Sequence, residues 1–153
     1  KMNISVTRSV NIYGPGDVNW DRIFPGTIKS LIKNQKPIIR SNGKFLRDYL
    51  YVDDVVDGYL KIAKFMLSKK FKSGIVFNFG NNKPISVINI TKLILKKFNK
   101  SPNFFKILNK SKNEIKDQYS DYANARKYLN WYPKFNIDEG LNKSIIWYKK
   151  KLS

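Results

Sequence analysis

The chain has 153 residues, 42% of them hydrophobic and 14% aromatic: enough for one domain with its own core and too apolar for wholesale disorder, yet with no run near the roughly 18 residues of a membrane span and no signal-peptide pattern, so a cytoplasmic protein without a membrane partner is expected. It has neither cysteine nor histidine, which excludes disulfides, thiolate nucleophiles, thiolate or imidazole zinc sites and a serine-histidine triad, and leaves acid-base work to Asp, Glu, Lys or Tyr. Lys and Arg number 30 against 11 Asp and Glu, a net +19, but most of the excess is lysine scattered over predicted outer helix faces (Lys61, Lys64, Lys92, Lys96, Lys97), so it reads as the drift of an AT-rich genome and not as a nucleic-acid footprint.

A β-branched run, Ile4 to Val10, opens the chain without a preceding cap or turn, as an interior strand of a larger sheet would, so a truncated or split gene product is expected. The run leads to Tyr13-Gly14-Pro15-Gly16-Asp17, a turn where polar groups can gather at a strand end. Asp21 to Gln35 reads as a helix with Ile28, Leu31 and Ile32 on one face and Pro25 in its first turn. Pro37 to Ile39 and Phe45 to Val52 read as two short strands bracketing a Ser41-Asn42-Gly43 turn.

The clearest helical period follows, with Val52, Val55, Val56, Tyr59, Leu60, Ala63, Met66 and Leu67 as its apolar stripe, and with Asp53, Asp54 and Asp57 near the positive end as caps and dipole partners. Ile75 to Phe79 reads as a central parallel strand buried on both faces. Ser86 caps a helix with core stripe Val87, Ile90, Ile94 and Phe98. Phe104 to Leu108 is a short strand, and Asn109 to Tyr119 a polar stretch. Helical patterns near Tyr122 to Leu129 and Asp138 to Lys150 flank Trp131-Tyr132-Pro133. No repeat or linker divides residues 1–153, which form a single α/β region.

Two spaced motifs carry a resemblance. Arg-x-x-Asn-x-Tyr-Gly-Pro is met by Arg8, Asn11, Tyr13, Gly14 and Pro15, and Arg-Asp-aromatic-x-Tyr-Val-x-Asp by Arg47, Asp48, Tyr49, Tyr51, Val52 and Asp54. The chain resembles the C-terminal half of extended short-chain dehydrogenases/reductases, the NAD-dependent nucleotide-sugar epimerases and 4,6-dehydratases. GDVNWDRIFPGTI and NEIKDQYSD look most like the CDP-glucose 4,6-dehydratase branch, whose enzymes are lyases of polysaccharide biosynthesis. The resemblance implies the C-terminal part of a Rossmann-type fold, remnant parallel strands plus a small mixed α/β substrate-binding domain. It also implies an absent N-terminal half that holds most of the NAD.

Arg47 is the first candidate for binding, because a guanidinium fork can grip two phosphate oxygens at once. The resemblance places it on the diphosphate of a nucleotide sugar, and the plainer alternative is an ion pair with Asp48 or Asp54. Asn11 offers a donor and an acceptor for a sugar hydroxyl, a phosphate or the nicotinamide carboxamide. Arg22 and Lys116 are further substrate contacts, although a lysine lacks the fork that many relatives carry at position 116, and Asn82 is another. Ile39, Pro25, Tyr49 and Trp20 could wall a nucleobase slot. No metal site and no catalytic residue is assigned.

The family's oxidation at C4 needs a glycine-rich loop and a Tyr-x-x-x-Lys pair. None of the nine tyrosines has lysine four positions on, and the eight glycines are too dispersed. The resemblance therefore implies a nucleotide-sugar-binding portion that is inactive alone. The alternatives are the same portion of a 4-epimerase, or a non-catalytic binding protein that pairs with a separate N-terminal half. The open strand flank at Ile4 to Val10 allows a homodimer as well.

Overall fold

The computed structural model describes residues 2–110 and 114–153. Position 1 and the centre of the polar stretch, 111–113, lie outside the described residues.

The first apolar run forms one extended course that changes partner midway. Its first part, β1 (Ser5–Ser9), pairs in parallel with β6 (Ile75–Phe79), with Ser5 beside Ile75 and Ser9 beside Phe79. Its second part, β2 (Asn11–Tyr13), pairs in parallel with β5 (Tyr49–Tyr51). The switch falls at Val10, whose N–H donates to Phe79 O at 3.1 Å, while the next N–H, Asn11, donates to Asp48 O at 3.2 Å. A strand can serve two ladders in this way because its two edges carry separate rows of donors and acceptors.

The remaining strands are short. Asp48 divides the expected Phe45 to Val52 strand into β4 (Leu46–Arg47) and β5. The two expected strands that bracket Ser41-Asn42-Gly43 do not pair with each other. Instead β3 (Ile38–Ile39) pairs in parallel with β8 (Lys106–Ile107), and β4 lies between antiparallel β7 (Ile85–Ser86) and parallel β9 (Asp117–Gln118). The polar stretch thus contains a strand that its composition hides, since both β9 residues are exposed.

Among the described residues five helices cover this framework: α1 (Ile23–Ile32), α2 (Val52–Met66), α3 (Val87–Lys97), α4 (Ala123–Leu129) and α5 (Ile137–Leu152). Ser86 caps α3 by accepting from Asn89 N–H at 3.2 Å, and Asn136 with Glu139 forms a capping box on α5. One core gathers α1, α3 and α5 around Tyr13, Tyr49 and Tyr51, and the other gathers α2 and α4 around Phe77, Phe79 and Trp131.

Two expectations for the second core are corrected. The α2 stripe is only partly the buried side: Val55 is buried and Val52 and Met66 pack against the cores, but Asp54, Gly58 and Ile62 complete the buried face, whereas Val56, Tyr59, Leu60 and Leu67 are exposed, Leu60 at 67%. Strand β6 is buried on only one face, through Phe77 and Phe79. The α2 acids also have other work. Asp54 turns inward, its carboxylate accepting Lys134 N–H at 2.9 Å and Phe135 N–H at 3.2 Å, which ties the segment before α5 to α2. Asp57 pairs with Lys134 at 3.1 Å and Lys61 at 3.7 Å.

Gly58 permits the close approach of α2 to β6, because a Cβ there would lie 2.6 Å from Phe79 Cε1. Alanine would gain about 1 kcal/mol of helix propensity, but overpacking a fully buried ring costs about 1–3 kcal/mol. Gly58→Ala is therefore expected to lower stability by up to about 2 kcal/mol in urea unfolding, and a stabilised variant would show that α2 sits farther from β6.

Candidate functional site

The turn after β2 delivers the chain to the mouth of a cavity. Gly16 adopts φ 91°, a conformation that side chains disfavour, and Asp17 then accepts Asn19 N–H at 3.0 Å. From α5, the Tyr148 hydroxyl donates to Asp17 O at 2.6 Å and fixes the turn from behind. Helix α1 starts at Ile23 with Pro25 in its first turn, where no N–H is missed.

Between this turn, α1, β3 and β4 lies a cavity of about 780 Å³, within the usual range of small-molecule sites. Its apolar side includes Trp20, Phe24, Pro25, Ile39 and Tyr49, four of them the residues expected to wall a base slot. Phe24 stacks on Tyr13 at 4.1 Å and meets Tyr49 edge-on at 5.2 Å, so the floor is a locked aromatic set.

Three of the five arginines of the chain line this cavity: Arg22, Arg40 and Arg47. Each has a carboxylate beside it. Arg22 reaches Asp17 at 3.2 Å, Arg40 pairs with Asp21, and Arg47 Nη2 reaches Glu114 at 3.3 Å. The first two guanidinium groups are more than half exposed, whereas the Arg47 side chain is 14% exposed. Its Nη1 donates to Leu46 O at 2.9 Å and Lys116 O at 3.1 Å, which fixes the plane of the fork. The sheltered cation is thus the best placed of the three to feel an anion in low dielectric.

Asn11 also lines the cavity, with its amide donating to Asp48 O at 3.2 Å. Asn82 and Lys116 do not line it. Asn82 sits in the turn after β6 with φ 52°, its N–H donating to Asp48, and the Lys116 side chain is exposed while its carbonyl serves Leu46 and Arg47. The alternative pairing of Arg47 with Asp48 or Asp54 is replaced by the pairing with Glu114.

Asp48 has a structural task that its motif did not announce. Fully buried, it accepts the N–H groups of Asn81 and Asn82, each at 2.9 Å, so the turn after β6 is clamped to the junction of β4 and β5. Burial raises its carboxyl pKa, and these donors offset only part of that rise.

Burial also pushes Tyr49 up to about 12, against the pull of Arg47, and raises Tyr13. Neither is poised to act as a base near neutrality. No group of three or more potential metal ligands occurs among the described residues, and no helix among them is long and apolar enough to cross a membrane.

Arg40 carried no signal in the sequence, and Glu114, although inside the segment NEIKDQYSD, was not singled out as a site residue. Arg40 stands outside both motifs, and Glu114 reaches the cavity only because β9 pairs with β4.

Residues 1–80 match the NAD dependent epimerase/dehydratase family. Over 98% of its length the chain is 30% identical to dTDP-D-glucose 4,6-dehydratase of Homo sapiens, covering 43% of that protein. Over 99% of its length it is 31% identical to UDP-glucuronate 4-epimerase of Thermodesulfobacterium geofontis (strain OPF15), covering 45% of it. The crystal structure of UDP-glucuronic acid 4-epimerase from Bacillus cereus in complex with UDP-glucuronic acid and NAD superposes with a TM-score of 0.87 at 26% identity, over 99% of this chain and 46% of that one. The chain thus spans less than half the length of these relatives, and its parallel strand pairs are those of a partial Rossmann-type α/β fold. The paired motifs around Asn11 and Arg47, the parallel ladder that brings them together and the match over residues 1–80 place the chain in the NAD dependent epimerase/dehydratase family.

Proposed function

We propose that this chain is the nucleotide-sugar-binding portion of an NAD-dependent NDP-hexose 4,6-dehydratase. The observation that carries the reading is the convergence of Arg22, Arg40 and Arg47 on one cavity with an aromatic floor. Guanidinium groups suit a diphosphate, and the wall of Trp20, Pro25, Ile39 and Tyr49 suits a base. The segments GDVNWDRIFPGTI and NEIKDQYSD, which resemble the CDP-glucose 4,6-dehydratase branch, favour CDP-glucose among the nucleotide sugars. A 4-epimerase of the same family is the second reading, favoured by the 31% identity to UDP-glucuronate 4-epimerase.

The residues present do not form a cradle for NAD. The sequence has no glycine-rich phosphate loop, the cavity tyrosines Tyr13 and Tyr49 are held protonated, and Asn11 alone is offered to the cofactor. In this reading the cofactor and the redox chemistry belong to the N-terminal half of the family's fold, and these 153 residues alone do not turn over. Two exposed apolar sets are open to that half: Met2, Ile4 and Val6 at the start of β1, and Val56, Leu60 and Leu67 on and just after α2. A second copy of the chain is the competing occupant.

Titration calorimetry with CDP-glucose, dTDP-glucose, UDP-glucose, UDP-glucuronic acid and GDP-mannose tests the reading. One of them should bind at least tenfold more tightly than the rest, with CDP-glucose expected to lead. No heat from any of the five at millimolar concentration would refute it, as would formation of a 4-keto sugar by the purified chain with NAD alone.

A further inference from the structure

We infer that Glu114 is a built-in competitor for the ligand's phosphate, its carboxylate occupying the side of Arg47 that an incoming anion must take. The inference rests on the reading of the cavity as a nucleoside-diphosphate site, and it concerns how that site is regulated.

The geometry distinguishes this pair from the other two. Arg22 and Asp17 are five residues apart within one turn, and Arg40 and Asp21 are both largely exposed, so these pairs are local or solvated. Glu114 is 67 residues from Arg47 in sequence and reaches it because β9 runs beside β4, with Leu46 N–H donating to Lys116 O at 3.0 Å and Asp48 N–H to Gln118 O at 3.0 Å. The carboxylate is therefore carried to the sheltered guanidinium by the backbone ladder.

Arg47 does not need Glu114 to hold its place. Two carbonyls grip its Nη1, and the Phe45 ring lies 5.6 Å from its central carbon. What Glu114 takes is Nη2, at 3.3 Å, longer than the roughly 2.7–2.9 Å of a strong charge-assisted bond, and the carboxylate itself is 40% exposed. The carboxylate and a phosphate cannot share Nη2 without repulsion, so ligand entry requires Glu114 to turn out toward solvent.

Inorganic pyrophosphate is the probe, titrated by calorimetry into the 153-residue chain and into E114Q, E114A, R47A/E114Q and D121N. Removing the competing charge should tighten pyrophosphate binding about tenfold in E114Q and E114A, and the R47A/E114Q double variant should lose that gain. D121N removes one exposed carboxylate beside α4, outside the cavity, and should change binding less than twofold. Equal or weaker binding in E114Q, no pyrophosphate binding by any variant, or the same tightening in D121N would overturn the inference. If pyrophosphate follows the expected pattern while no nucleotide sugar binds, the nucleotide-sugar reading fails and the role of Glu114 stands.

Discussion

Arg47→Ala is expected to weaken binding of the preferred nucleotide sugar about 100-fold. The fork is sheltered at 14% exposure and oriented by Leu46 O and Lys116 O, so once Glu114 has given way its bonds to a diphosphate would form without a large ordering cost. Two charge-assisted bonds at about 1.5 kcal/mol each amount to about 3 kcal/mol, or roughly two decades in Kd. Arg47→Lys should recover only part of the loss, because a point charge cannot present two parallel donors. Arg126→Ala on α4, exposed and away from the cavity, should bind like the parent. Calorimetry on the three variants decides the matter, and an unchanged Kd in Arg47→Ala would remove the diphosphate from this side of the cavity.

The largest effect on stability is expected from Trp131→Ala. The indole is fully buried, meets Phe79 edge-on at 4.8 Å and Tyr122 at 5.5 Å, and donates its N–H to Asp54 O at 3.0 Å. Truncation opens a cavity in a core that has little else of that volume, at a cost of about 3–5 kcal/mol. Against a typical total of about 5–15 kcal/mol this is a large share, and the thermal midpoint should fall by roughly 10 °C. Urea and thermal unfolding measure it. A loss under about 1 kcal/mol would mean that α2 and α4 are held together by something other than this ring.

The sequence made these two residues unequally visible. Arg47 belongs to a spaced motif, so its importance could be read before any coordinates. Trp131 appeared only as part of a break between two helical patterns, because nothing in Trp-Tyr-Pro tells which ring turns inward. Helices α2, α3 and α5 were legible in extent through their periodic apolar positions and caps. The orientation of α2 was not. Apolar residues occur on both sides of that helix, and the buried side is marked by Asp54 and Gly58, which composition does not flag as core.

Short strands were the other blind spot. Two-residue pairings such as β4 with β7 and β9 are decided by tertiary context and not by local propensity. Arg47 was visible through its motif and not through these pairings, and the contact that β9 brings to it, from Glu114, was hidden. The residues that local pattern could reveal, Asn11 and Arg22 beside the Gly-Pro-Gly-Asp turn, did reach the cavity.

The outward apolar side of α2 also bears on how this polypeptide behaves in bulk. A net charge of +19 sets up mutual repulsion between molecules, which opposes coalescence through Val56, Leu60 and Leu67. That repulsion has a reach of about 10 Å at 0.1 M salt and about 3 Å at 1 M. Colloidal stability therefore depends on low ionic strength, and concentrated salt exposes the adhesive character of the helix.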